Sequence, residues 1–125
     1  MGLLSDEIKA TGKWGEEQAA RYLKKHGYRI LEQNYSCRFG EIDIIAADQT
    51  FLVFVEVKTR KDASFAEARE FVGAGKQRRV LSAASVWMTH HDMDLQPRFD
   101  VIEIYGTADM PYRKLVIHHF EDAFS

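Results

Sequence analysis

The chain contains one cysteine, two prolines and no excess of basic charge. A lone Cys37 excludes an internal disulfide, and such sparing cysteine use fits a reducing compartment, so a cytoplasmic location is expected. No run of residues approaches the length needed to span a bilayer. The opening MGLLSDEIKA lacks the basic start and long apolar stretch of a secretion signal, and Asp6 stands where a myristoylation signal wants Ser or Thr. No membrane partner is expected. With 17 Lys and Arg against 19 Asp and Glu, the formal net charge is −2, which excludes nucleic-acid binding by bulk charge alone. Repeats, low-complexity tracts and Pro/Ser-rich linkers are also missing, so nothing divides the 125 residues. The expectation is one domain over residues 1–125, long enough to close a core without disulfide or metal staples.

What is present is an ordinary globular composition, 46% hydrophobic and 29% charged. Charge is organised locally, with bases gathered in KTRK (58–61) and KQRR (76–79) and acids in DEIK, GEE and HHDMD. Apolar spacing predicts a first helix from Ser5 or Asp6 to His26, stopped by Gly27, with a stripe of Ile8, Gly12, Gly15, Ala19, Ala20 and Leu23. Gly12 and Gly15 weaken that helix by roughly 1 kcal/mol each relative to alanine, so either it begins near Thr11 or they permit close packing. Strands are predicted over 28–35, 40–47, 51–59, 98–105 and 114–120, with a second amphipathic helix from Lys76 to about Thr89. The second and third strands should form an antiparallel hairpin, and the long crossover before the fourth permits parallel pairing. The fold class is therefore α/β, a mixed sheet flanked by helices in the order α-β-β-β-α-β-β.

The third strand, FLVFVEVKT, carries two charges two positions apart, Glu56 and Lys58, on one face of an otherwise apolar run. Burying them costs several kcal/mol, by rough estimate, unless each has a partner, so they form either a structural ion pair or the wall of a polar site. In GEIDIIA, strict alternation puts Ile42 and Ile44 on one face and Glu41, Asp43 and Ile45 on the other. A two-residue loop at Gln49 and Thr50 places Asp43 opposite Glu56. Two carboxylates so opposed repel unless a cation or a shared proton lies between them. A hard divalent ion, Mg2+ or Mn2+, suits carboxylate and phosphate oxygens. On the first helix Glu16 falls on the inward stripe while Glu17 points outward, and Lys58 can orient a water and stabilise charge on phosphorus. Elsewhere, adjacent His90 and His91 point apart and do not make a metal site with Asp92 and Asp94. His118 and His119 alternate faces of a strand, Cys37 reads as inert, and Trp14 and Trp87 as core or rim aromatics.

GEIDIIA and LVFVEVKTR, preceded by GKWGEEQAARYLKKHGYRIL and followed by KQRRVLSAASVWM and RFDVIEI, together resemble the YraN family of small bacterial proteins over nearly the whole chain. That family is similar to archaeal Holliday-junction resolvases and to the restriction-endonuclease-like superfamily, whose motif is written PD-(D/E)xK. The resemblance implies a restriction-endonuclease-like fold and a Mg2+- or Mn2+-dependent endonuclease acting on branched or structured DNA. Asp43 then matches the motif aspartate, Glu56 and Lys58 the (D/E)xK pair, Glu16 the helix-one glutamate and Gln77 a glutamine on the following helix. Ile42 stands where the motif has proline. Arg60, Lys61, Lys76, Arg78 and Arg79 would contact backbone phosphates, and a homodimer would suit a two-strand cut. The competing expectations are a non-catalytic nucleic-acid-binding domain with the same fold, and an interaction domain whose acids form ion pairs.

Overall fold

The computed structural model describes residues 2–60 and 73–125. Helix α1 (Gly2–Lys25) leads into strands β1 (Arg29–Cys37), β2 (Gly40–Ala47) and β3 (Phe51–Arg60). Helix α2 (Ala74–His90) and strand β4 (Gln96–Tyr105) follow, then a 3-10 turn at Tyr112–Lys114 and strand β5 (Val116–Phe120). The five strands lie in sequence order in one sheet, with β3 and β4 parallel and every other neighbouring pair antiparallel. The mixed sheet and its element order agree with the sequence expectation. The helix start does not: α1 begins at Gly2, ahead of both expected starts.

The residues account for these elements. Gly27, at φ 89°, ends α1 as the periodicity predicts; Tyr28 N–H reaches Leu23 O at 3.0 Å and Gly27 N–H reaches Lys24 O at 3.2 Å, satisfying carbonyls that the helix end would otherwise leave open. Gly15 is the close-packing glycine, because a Cβ there would stand 2.1 Å from Thr59 Oγ1 on β3, whereas Gly12 has nothing within 4 Å. Asp48 builds the β2–β3 turn, its Oδ1 accepting from the N–H of Thr50 at 2.8 Å and of Phe51 at 2.7 Å.

Each sheet face has its own core. On the α1 side, Ala19, Ala20 and Leu23 pack on Ile44, Ala46, Val53, Val55, Ile102 and Ile104. On the α2 side, Val80, Ala83, Ala84 and Trp87 pack on Ile42, Ile45, Leu52, Phe54, Phe99 and Val101. This corrects the alternation expected for GEIDIIA: Ile42 shares a face with Ile45, and Ile44 faces the other helix. The cause lies at one height in both strands. Asn34, with a left-handed φ of 55°, falls between the pairs Gln33↔Ile44 and Tyr35↔Ile42, and Asp43 falls between the same pairs on β2. A left-handed residue breaks the two-residue repeat, so inward positions change face across it. Asp43 stands where the inward face of β2 changes.

Candidate functional site: a carboxylate cluster where two strands part

The β2–β3 ladder runs from Ala47↔Leu52 to Ile44↔Val55 and stops there. It ends one residue short of the expected Asp43–Glu56 pair, but the two carboxylates lie close enough to repel. The Asp43 side chain spans the opening: its Oδ2 accepts a hydrogen bond from Val57 N–H at 2.8 Å, a main-chain donor that the ladder no longer serves. Glu56 is 2% exposed on the α2 side of the sheet. Its Oε2 lies 3.2 Å from Lys76 Nζ in the first turn of α2, while its Oε1 is buried without a hydrogen-bond partner among the described residues. Glu16 approaches from α1, hydrogen-bonded to Asn34 and close enough to Asp43 for the two charges to repel. Glu17 is exposed, as helix periodicity requires.

Electrostatics follow from this crowding. Burial, and then the Asp43 charge, push the Glu56 carboxyl up to about 7 despite Lys76 and Lys58. Burial also raises Asp43, against the opposing effects of the Val57 N–H, Lys76 and Lys58; Glu41 adds to the rise. Glu16 is raised by burial and by Asp43. Burial disfavours the Lys76 charge, but Glu56 and Asp43 outweigh it and hold its pKa above the ordinary lysine value. Three acids from three elements thus resist ionising together, and two lysines only partly relieve them.

Of the residues singled out in the sequence, Glu16, Asp43, Glu56 and Lys58 are gathered here. Gln77 sits half-buried in the first turns of α2, next to Lys76. Arg78 and Arg79 are exposed on that helix, whose backbone packs tightly on β2: a Cβ at Gly40 would stand 3.0 Å from Arg79 O. Arg60 is half-exposed at the end of β3, and Lys61 lies outside the described residues. Lys76, expected to contact phosphate, is paired with Glu56 in this structure. Among the described residues no three His, Cys, Asp or Glu groups converge closely enough to chelate an ion as they stand. His90 and His91 turn Nδ1 back to the helix carbonyls of Val86 and Trp87, at 2.9 and 2.8 Å, which accounts for them without a metal.

Sequence reasoning missed Asn34, whose left-handed backbone carries no sequence signal beyond asparagine's tolerance of that region. It also missed a second buried acid. Asp100 on β4 accepts two hydrogen bonds from Arg98, at 2.9 and 2.8 Å, one from His119 Nε2 at 2.7 Å and one from Asp122 N–H at 3.0 Å. Arg98 also donates to Tyr28 Oη at 2.7 Å, and His119 Nδ1 is hydrogen-bonded with Tyr22 Oη at 3.2 Å. The R-x-D spacing on one strand face was the available clue.

Comparison with known proteins matches residues 15–104 to a sequence model described as "Uncharacterised protein family UPF0102". That span includes Glu16, Asp43, Glu56, Lys58 and Lys76. The chain is 48% identical over 115 residues to a UPF0102 protein of Syntrophus aciditrophicus, an alignment covering 91% of each chain. It is 46% identical over 120 residues to one of Caldicellulosiruptor bescii, covering 94% of this chain and 98% of the relative. It is 44% identical over 116 residues to one of Syntrophotalea carbinolica, covering 92% and 91%. A chain that matches the family model over most of its length, and these relatives almost end to end, belongs to UPF0102, the YraN family.

Proposed function

We propose that the protein is a divalent-metal-dependent endonuclease of restriction-endonuclease-like type that hydrolyses phosphodiester bonds in branched or otherwise structured DNA. The observation that carries this reading is the buried Oε1 of Glu56, which has no hydrogen-bond partner among the described residues and is set beside two further carboxylates. A core acid kept for stability would have its oxygens paired, whereas one awaiting a cation has an oxygen to spare. An all-oxygen donor set from Asp43, Glu56 and Glu16 fits Mg2+ or Mn2+. Such an ion supplies Lewis acidity and a water of lowered pKa.

The chain's own residues do the rest. Asp43 is fixed by the Val57 N–H, which sets one ligand direction before any substrate arrives. Lys58, close enough to act on the charges of Asp43 and Glu56, would orient the attacking water and stabilise charge developing on a phosphate oxygen. Gln77 adds a polar contact from α2, and Arg60, Arg78 and Arg79 hold backbone phosphates, fixing position without reading sequence. Since the whole chain is slightly acidic, binding depends on these local clusters and should weaken steeply with salt.

The test is incubation of the protein with a labelled four-way junction in EDTA and then with Mg2+ or Mn2+. Cleavage that needs the metal, and is lost in Lys58→Ala with junction binding retained, is expected. The Lys76–Glu56 pair favours a second reading, a nucleic-acid-binding domain in which a lysine permanently fills the cation position. Junction binding that is indifferent to metal, with no cleavage, would establish that reading instead.

A further inference from the structure

Lys76 lies 3.2 Å from one oxygen of Glu56, yet its side chain is 44% exposed while that of Glu56 is 3% exposed. The two partners therefore differ in what separation costs them. Glu56 is fixed on a central strand and cannot follow. Lys76, on a flexible stem at the first turn of α2, can withdraw into water with little loss. One ammonium also leaves the site unfinished: it touches Oε2, Oε1 has no hydrogen-bond partner among the described residues, and the lysine faces the repelling charges of Asp43 and Glu56 with a single positive charge.

We propose that Lys76 is a resident cation of this cluster, which holds Glu56 in the metal-free protein and is displaced when a divalent ion enters. Lys76 thus sets the affinity of the site and determines when α2 is free to engage a phosphate. In the metal-free state its charge is spent on Glu56. After displacement it joins Arg78 and Arg79, exposed on the same helix, and adds one cation to the face that meets the nucleic-acid backbone. The inference rests on the reading of the cluster as a cation centre and adds to it a residue that competes with the metal rather than assisting it.

The test is calorimetric titration of Mn2+ into the wild-type protein, Lys76→Met and Lys76→Arg, each checked for folding by circular dichroism. Lys76→Met keeps the stem and removes the charge, so it should bind Mn2+ about tenfold more tightly, on the order of what one partly exposed ion pair is worth. Lys76→Arg keeps the competing charge and should stay within about twofold of wild type by the same reasoning. In a crystal of the wild-type protein soaked in Mn2+, Lys76 Nζ should no longer lie within ion-pair distance of Glu56. Unchanged or weaker Mn2+ binding by Lys76→Met, with wild type binding the ion, overturns the role of Lys76 alone, as does a soaked crystal in which the ion pair persists. Absence of Mn2+ binding from all three proteins overturns the cation centre itself, and this inference with it.

Discussion

Two buried carboxylates, Asp100 and Glu56, lie on the neighbouring parallel strands β4 and β3, and they are treated in opposite ways. Asp100 is fully buried and saturated by two Arg98 nitrogens, His119 and a backbone N–H. Burial alone would raise its pKa, but these donors hold it below the ordinary aspartate value. Glu56 is nearly as buried, yet it has one lysine, a repelling acid close by and an oxygen with no donor among the described residues. The same burial therefore yields a settled anion in one place and a strained one in the other. Asp100 contributes to holding the C-terminal segment, since Asp122 N–H bonds to it and Ala123 N–H reaches Phe99 O at 2.7 Å. Among the described residues the Glu56 cluster is short of hydrogen-bond donors.

The comparison breaks most visibly at Asp100. Asp100→Ala strands a buried Arg98 guanidinium and should destabilise the fold by about 3–5 kcal/mol in urea unfolding. If the loss is below about 1 kcal/mol, the network is not the structural anchor described.

The pH dependence should separate the two acids next. Between the ordinary glutamate value and about 7, the folded protein holds a proton on Glu56 that the unfolded chain releases. Stability should therefore fall as pH rises through that window, by about 2–3 kcal/mol, and level off above it. The raised Asp43 adds to this slope, and Lys76 and Lys58 moderate it. Asp100 acts with the opposite sign: its contribution is present above the ordinary aspartate pKa and is lost as pH falls through its depressed folded value. Denaturation followed from pH 4.5 to 8 should show the full slope in the wild type and a clearly shallower one, left by Asp43 and Glu16, in Glu56→Gln. A slope unchanged by Glu56→Gln would assign it to other groups.

At pH 7.5 a smaller change of opposite direction is expected from Glu56→Gln, a gain of about 1–2 kcal/mol together with loss of Mn2+ binding. Asp43→Asn should also lose the ion but remain near wild-type stability, because the amide oxygen can still accept from Val57 N–H while the repulsion disappears. Asp43→Ala frees that N–H and should cost about 1–2 kcal/mol more than Asp43→Asn, as thermal melts of the pair would reveal.

The finest test is Glu16→Gln against Glu17→Gln. Each should alter stability by less than about 0.5–1 kcal/mol, but only Glu16→Gln should weaken Mn2+ binding, by about tenfold or more by analogy with other partly buried ligands. Equal effects at the two positions would remove α1 from the site.

Sequence alone determined the order of elements, the helix stop at Gly27, the hairpin turn at Asp48 and the nearness of Asp43 to Glu56. These follow from local chemistry and from a fixed repeat counted outward from a short loop. The inward direction of Glu16 followed from helical spacing for the same reason. Other features depended on contacts between residues far apart in the chain, where local pattern carries no information. The pairing of Lys76 with Glu56 requires the first turn of α2, packed on β2, to reach β3, and so Lys76 could be read in the sequence only as a free base. The Asp100 network joins Tyr22, Tyr28, Arg98, His119 and Asp122 from α1, the α1–β1 turn, the last two strands and the segment after them. The change of face at Asn34 and Asp43 breaks the alternation on which strand reading depends, and it falls where β1 carries a left-handed residue with no distinctive sequence signal. Residue types set which groups could carry charge into the core. Only the tertiary structure decided which of those charges found partners, because the partners come from elements that meet only when the sheet and helices are packed.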